Sequence, residues 1–305
     1  MSSFAERNVS RRQAITGLGA GAVGVALARS GWRRAASAQE PEVERSVSYG
    51  TAGDTDLLLD AHIPPSTGEL RPAVILIHGG RWSQFIATRV DYSQDARRFA
   101  LAGYVTFNID YRLLTSVPGE NAWPAQLDDV QRAVRWVRAN AVTYDVDPER
   151  IGAYGHSAGG HLASMLAVRD TRDNSDAELA SFSSRVQCAA TVAGHFDLTI
   201  PYLTQDDNDV VVKLLGGTAD EEPDAYRDAS PITWVDAESS PHLIIYGAAD
   251  QLNPVAQGRN MVASLQEGGV EHVYVEYPDG DHFTPARWAD AGPWSLTFFE
   301  RHLGD

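Results

Sequence analysis

Residues 150–163 read RIGAYGHSAGGHLA. The first eight have the β-type, largely apolar character of a short strand. From Ala158 a run of small residues, AGGHLASMLAV, predicts a helix over 158–168. At the junction Gly155, Ser157 and Gly159 stand in G-x-S-x-G spacing. A serine on so sharp a strand-to-helix turn holds its hydroxyl out at the sheet edge, and glycines at ±2 remove side chains that would collide with strand and helix. The helix N-terminus beside it favours a developing negative charge. G-x-S-x-G recurs by chance in glycine-rich chains, but seldom between a strand and a helix. The stretch therefore predicts an α/β layered fold and makes Ser157 the candidate nucleophile.

The same alternation continues outward. Strand patterns occupy 44–50, 56–64, AVILIHGG (73–80), YVTFNIDYR (104–112), VQCAATVAG (186–194), PHLIIYGAAD (241–250) and HVYVEYPDGDH (272–282). Helical patterns occupy 92–103, 124–141, about 254–266, and the C-terminus at least from Trp294, with Pro293 favouring its start. In 124–141, Leu127, Val130, Val134 and Val137 line one helical face and charged residues the other. Near-continuous apolar strands separated by helices predict a mostly parallel central sheet of about eight strands, flanked by helices. The polar segment 197–240 breaks the alternation after the sixth strand. Its DDNDVVVKLLGG predicts a short helical excursion, either a lid over a site or a surface insertion.

A serine nucleophile needs a base, and the base needs an orienting acid. Asp250 ends the strand PHLIIYGAAD and His282 follows the last strand. Both fall at strand C-terminal ends, where α/β sheets place their sites, and in the chain order Ser, acid, His. Asp197 is a rival acid at the end of the preceding strand, while Asp279 and Asp281 belong to the turn that carries His282. His156 and His161 flank the nucleophile; His156 is a candidate site-lining residue and His161 a packing residue.

HGGRW (78–82) closes another strand. Gly79 and Gly80 free the backbone to approach a reacting group, and Arg81 keeps its N–H where only proline would lose it. The amides of Gly80, Arg81 and Ala158 are therefore candidate oxyanion donors. The Arg81 guanidinium either contacts an anionic or aromatic substrate group or pairs with a surface carboxylate. Trp82, Phe85, Trp123 and Tyr202 are candidate pocket walls.

Ser10-Arg11-Arg12 opens a twin-arginine pattern, followed by a weakly apolar stretch (16–28) and a small-x-small site at Ala36-Ser37-Ala38. The apolar stretch is shorter than the ~20 residues of a membrane span. Residues 1–38 thus read as an export leader to the periplasm or exterior, with no stable membrane insertion after cleavage, and 39–305 as one catalytic domain. The leader holds six Arg and one acid, so the remainder carries 19 basic and 40 acidic side chains, a charge of −21. That balance disfavours nucleic acid and anionic membrane as partners, and carries no signal for oligomeric state. Cys188 is the only cysteine, so no internal disulfide forms. No H-E-x-x-H or Cys/His cluster suggests a metal.

HGGRW, NIDYRL, WPAQLDDVQRAVRWVRANA, DPERIGAYGHSAGGHLA, ASPITWV, LIIYGAADQLNP and DGDHF together resemble the α/β-hydrolase superfamily, in its esterase/lipase branch with an H-G-G motif. The likeness covers most of 45–303. It implies attack by Ser157, general-base work by His282, orientation by Asp250, an acyl-enzyme intermediate and no cofactor. Arg81 in place of a third glycine, and the short stretch before the HGG strand, make the chain most similar to H-G-G-x-W relatives. Those include feruloyl- and acetyl-type esterases and kynurenine formamidases. The expected partner is a small or polymer-derived ester. An amidase or formamidase using the same groups is the alternative within enzymes, and a non-catalytic hydrolase-fold binding protein the alternative outside them.

Overall fold

A computed structural model describes residues 39–304. The leader read at 1–38 lies outside the described residues. The strands are β1 (Glu42–Ala52), β2 (Thr55–Ile63), β3 (Arg71–Ile77), β4 (Val105–Ile109), β5 (Val146–His156), β6 (Cys188–Val192), β7 (His242–Gly247) and β8 (His272–Tyr277). They form one sheet in the order β1-β2-β4-β3-β5-β6-β7-β8. β2 runs antiparallel to both β1 and β4, and every later pairing is parallel. This is the mostly parallel sheet of about eight strands that the sequence implies.

Parallel strands must be covered on both faces. Along β3 every residue is buried; Ala73, Ile75 and Ile77 face one core, Val74 and Leu76 the other. The first core takes α2 (Ala125–Ala139) and α3 (Ala158–Val168), and α6 (Ala256–Glu267) packs beyond it on the same side of β7. The second takes α1 (Ser93–Leu101) and α7 (Trp288–Leu303). The excursion between β6 and β7 holds α4 (Gln205–Leu215), α5 (Pro223–Ala229) and a 3₁₀ turn, more structure than the single helix expected.

The C-terminal helix starts six residues earlier than the sequence suggests, with Pro293 inside its second turn. Proline costs one helical hydrogen bond there, and tertiary packing outweighs that cost. The Trp288 ring lies edge-on to Phe99 at 4.9 Å with the Arg98 guanidinium over it, and Phe99 meets Phe299 at 5.6 Å. Aromatic pairs of this geometry contribute about 1 kcal/mol each beyond their burial. No helix among the described residues is long and apolar enough to cross a membrane.

Two histidines are sealed into this framework. His242 opens β7, with Nδ1 2.8 Å from the Ser240 carbonyl and Nε2 3.0 Å from the Ser164 hydroxyl. His161, on α3, donates from Nε2 to the Ala229 carbonyl at 2.7 Å and accepts from Trp82 Nε1 at 3.2 Å. Burial pushes both down to about 4 from the ordinary 6.5. Above pH 6.5 folded and unfolded chains are both neutral at these positions. Below it the unfolded chain gains protons that the fold refuses, so stability is lost progressively from pH 6.5 towards 4. The slope is about 1.4 kcal/mol per pH unit for each histidine. We therefore expect the thermal midpoint to fall steadily from about pH 6.5 to 5, before carboxylates begin to titrate. A flat midpoint over that interval would contradict this account.

Candidate active site

β5 ends at His156 and α3 begins at Ala158, leaving Ser157 alone on the turn at φ 57°, ψ −121°. A non-glycine residue at such a positive φ is held against its preference. What holds it is backbone packing. Ser157 N–H donates to the Val192 carbonyl at 2.8 Å, and its own carbonyl accepts from His161 N–H at 3.0 Å. A Cβ on Gly155 would lie 2.2 Å from the Gly159 carbonyl oxygen, and one on Gly159 would lie 2.0 Å from that of Ile77. Neither contact is possible for a real side chain, so the spacing is a steric requirement of this junction.

Asp250 and His282 come from loops after β7 and β8 that are laced to each other. Ala248 N–H donates to the Tyr277 carbonyl and Ala249 N–H to the Gly280 carbonyl, both at 2.9 Å. One carboxylate oxygen of Asp250, Oδ1, accepts from the amides of Leu252 and Asn253 at 2.8 Å each. The other, Oδ2, lies 2.7 Å from His282 Nδ1. Both side chains are almost wholly buried. A proton on Nδ1 directed at that carboxylate leaves Nε2 with a free lone pair. Two other acids are committed elsewhere: Asp281 accepts from Phe283 N–H, Thr284 N–H and the Thr284 hydroxyl, and Asp197 binds Thr199.

Ser157 and His282 line one cavity of about 410 Å³. No hydrogen bond joins the Ser157 hydroxyl to another group among the described residues, so the Asp250–His282 contact is formed and the one to serine is not. Contacts of this kind commonly tighten only once substrate is bound. His156 supports the histidine loop. Its ring sits 4.8 Å from that of His282, and its Nε2 lies 3.1 Å from the His282 carbonyl. Burial, and then the neighbouring His282, push His156 down to about 3, so at neutral pH it serves as an uncharged donor.

The HGG loop lies against the elbow, with Gly79 so close that a Cβ there would come within 2.8 Å of the His156 carbonyl oxygen. Gly80, Arg81 and Trp82 follow at φ 101°, 57° and 52°, three successive residues in left-handed backbone. Bonds from Ser83 N–H to Gly80 O (3.0 Å) and Leu114 N–H to Trp82 O (2.7 Å) fix this curl. The amides of Gly80 and Arg81 are committed to no partner among the described residues. That of Ala158 opens α3, where no intrahelical acceptor exists. Three donors are thus available beside one serine.

The Arg81 side chain is 37% exposed, and its charged end is turned onto a partner in the cavity wall. Its guanidinium pairs at 2.6 Å with Asp207, which α4 carries into the cavity wall. The partner is a carboxylate, as in one of the two readings of this arginine, but a buried one in the cavity wall and not one on the surface.

Trp82, His156 and Tyr202 line the cavity, whereas two other candidate walls do not. Trp123 packs its ring 5.5 Å from His161 and donates from Nε1 to Asp228 at 2.8 Å, so it braces α5 from behind the site. Phe85 is fully exposed, carried outward by a backbone at φ 65°. His195 lines the cavity without having been singled out; its ring lies 5.0 Å from Trp82, and the Tyr202 hydroxyl meets its Nδ1 at 2.9 Å. Its place just past the end of β6, at the same sheet edge as Ser157, Asp250 and His282, was the available signal. Asp207 gave no such signal.

A family model described as BD-FAE matches residues 59–265. Esterase LipQ of Mycobacterium tuberculosis is 30% identical over 77% of this chain and 56% of its own length. Esterase LipC of the same organism is 31% identical over 69% and 52%. The chain thus spans about half the length of the curated relatives it matches. Among solved structures, a truncated carbohydrate esterase from gut microbiota superposes with a TM-score of 0.74 at 25% identity, over 87% of this chain and 98% of that one. The propionate-bound Est2 esterase of Thermogutta terrifontis, at 24% identity and a TM-score of 0.70, covers 87% and 93% and shares the fold.

Proposed function

The chain belongs to the BD-FAE family, within the α/β-hydrolase esterases and lipases, and from that premise we propose that it is a serine carboxylic-ester hydrolase acting through Ser157, His282 and Asp250. The observation that carries the reading is the 2.7 Å contact of Asp250 with His282 in a cavity that also holds Ser157 on its strained turn.

In this mechanism His282 Nε2 accepts the Ser157 proton as Oγ attacks the ester carbonyl carbon. Asp250 stabilises the imidazolium that results. The carbonyl oxygen, now negative, is held by the Ala158 amide and the amides of Gly80 and Arg81, each such donor being worth about 3 kcal/mol at the transition state. Collapse breaks the bond to the alcohol oxygen, which leaves with the proton from His282. The acyl group remains on Ser157 as an ester. Water then attacks that ester as His282 takes its proton, and release of the carboxylic acid restores the serine.

The test combines turnover with labelling. The purified protein is expected to hydrolyse p-nitrophenyl butyrate, and a fluorophosphonate is expected to modify Ser157 and abolish turnover together. Hydrolysis that survives labelling, or a label on any other residue, overturns the reading. Beside it, an N-formyl anilide measures the amidase alternative, for which turnover well below that of the ester is expected. Export by residues 1–38 forms part of this proposal, and fractionation of the expressed chain outside the cytoplasm is its measure.

A further inference from the structure

Arg81 is the only lysine or arginine lining the cavity, and Asp207 the only carboxylate, among the described residues. They lie far apart in sequence, one on the HGG loop and one on the excursion, yet form an ion pair at 2.6 Å. The Arg81 amide is a candidate oxyanion donor, so its guanidinium hangs within a side chain's length of the carbonyl that reacts. A free guanidinium there would bind a substrate carboxylate through two parallel hydrogen bonds.

Asp207 is held where it meets that guanidinium. It is the third residue of α4, its N–H donates to the N-cap Thr204 hydroxyl at 3.2 Å, and its Oδ2 accepts from that same hydroxyl. Only 7% of its surface is exposed. A substrate carboxylate competing for Arg81 would have to leave this buried acid without its cation, which is strongly unfavourable. His156 and His195, which also line the cavity, are kept uncharged by burial and supply no second cation, and the third histidine there, His282, is engaged by Asp250.

We propose that Asp207 is a specificity-determining residue, one that occupies Arg81 and so reserves the cavity for uncharged esters against those carrying a carboxylate near the scissile bond. This rests on the esterase reading of the site. The excursion thereby contributes to substrate choice as well as covering the cavity.

The experiment compares kcat/KM for the p-nitrophenyl esters of butyric acid and of hemisuccinic acid, which are similar in length and differ in charge. Wild type is expected to favour the butyrate by about tenfold or more. That preference should persist in 1 M salt, where the screening length of ~3 Å removes long-range repulsion by the acidic chain but not a contact pair. Asp207→Asn keeps the shape of the helix cap and releases the guanidinium. The ratio of hemisuccinate to butyrate turnover is expected to rise about tenfold, and to fall back when Arg81→Gln is added. Arg81→Gln alone leaves the carboxylate uncompensated and should sharpen the preference for butyrate.

A wild-type preference for the hemisuccinate, an unchanged ratio in Asp207→Asn, or a raised ratio that survives in the double variant each overturns the assignment. Should Asp207→Asn fail to fold, the wild-type ratio in 1 M salt and the response of Arg81→Gln still decide. Absence of turnover with both esters in wild type is a different failure, since it removes the esterase reading and this assignment with it.

Discussion

Ser157→Ala is expected to lower kcat/KM for p-nitrophenyl butyrate by ~10⁴- to 10⁶-fold, the range seen when a serine nucleophile is removed and the oxyanion donors remain. At ~1.4 kcal/mol per decade this is about 6 to 8 kcal/mol of transition-state stabilisation. The fold should scarcely register the change. The Ser157 hydroxyl makes no hydrogen bond among the described residues, and alanine meets the positive φ of the turn with the same Cβ. A melting temperature within about 2 °C of wild type is the matching expectation. Kinetics and melting curves on one preparation separate a lost nucleophile from a lost structure. Activity within tenfold of wild type would remove Ser157 from the mechanism.

The second large effect concerns Asp250→Asn, with an expected loss of about 10³- to 10⁴-fold in kcat and an intact fold. The direction follows from what each carboxylate oxygen touches. Oδ1 accepts two backbone N–H groups, from Leu252 and Asn253. An asparagine must keep its carbonyl oxygen on that side, because an NH₂ facing two donors would leave all three unpaired in a buried site. Its NH₂ is then turned towards His282 Nδ1, which can only accept from it. The imidazole proton is driven to Nε2, the atom required to take the serine proton, and the base is disabled with its geometry nearly unaltered. A loss smaller than tenfold would show that some other group sets the His282 tautomer.

Much of this site can be read locally. The elbow declares itself because its glycines, strand and helix lie within a few residues, and the candidate acid and base declare themselves by standing at strand ends in chain order. Each of these signals depends on near neighbours or on the sheet's own periodicity. What escapes such reading is contact between distant segments. Trp123 has the composition of a pocket wall, but the partner that draws its indole to the back of α5 is Asp228, on a helix far along the chain. Pro293 is locally a helix-starting residue, and only the Phe99 and Trp288 packing carries α7 past it. Asp207 is one acid among several in a polar run, and nothing beside it in sequence marks it as the acid that meets Arg81.

The register beneath the excursion has a consequence for how such a protein can diversify. β6 and β7 pair from Ala189 with His242 to Val192 with Ile245, through backbone bonds that owe nothing to the helices spliced between them. The intervening segment can therefore vary in its exposed turns without changing that register. Its helices are anchored all the same, since Trp123 bonds Asp228 of α5 and the Leu214 carbonyl of α4, and His161 bonds the Ala229 carbonyl. A further tie is electrostatic: an excursion lacking an acid at the place of Asp207 would strand a cation beside the candidate oxyanion loop. The HGG loop and the excursion thus form a matched pair in this chain, and chimeras that exchange one without the other should change which esters are accepted before they change how fast any ester is cleaved.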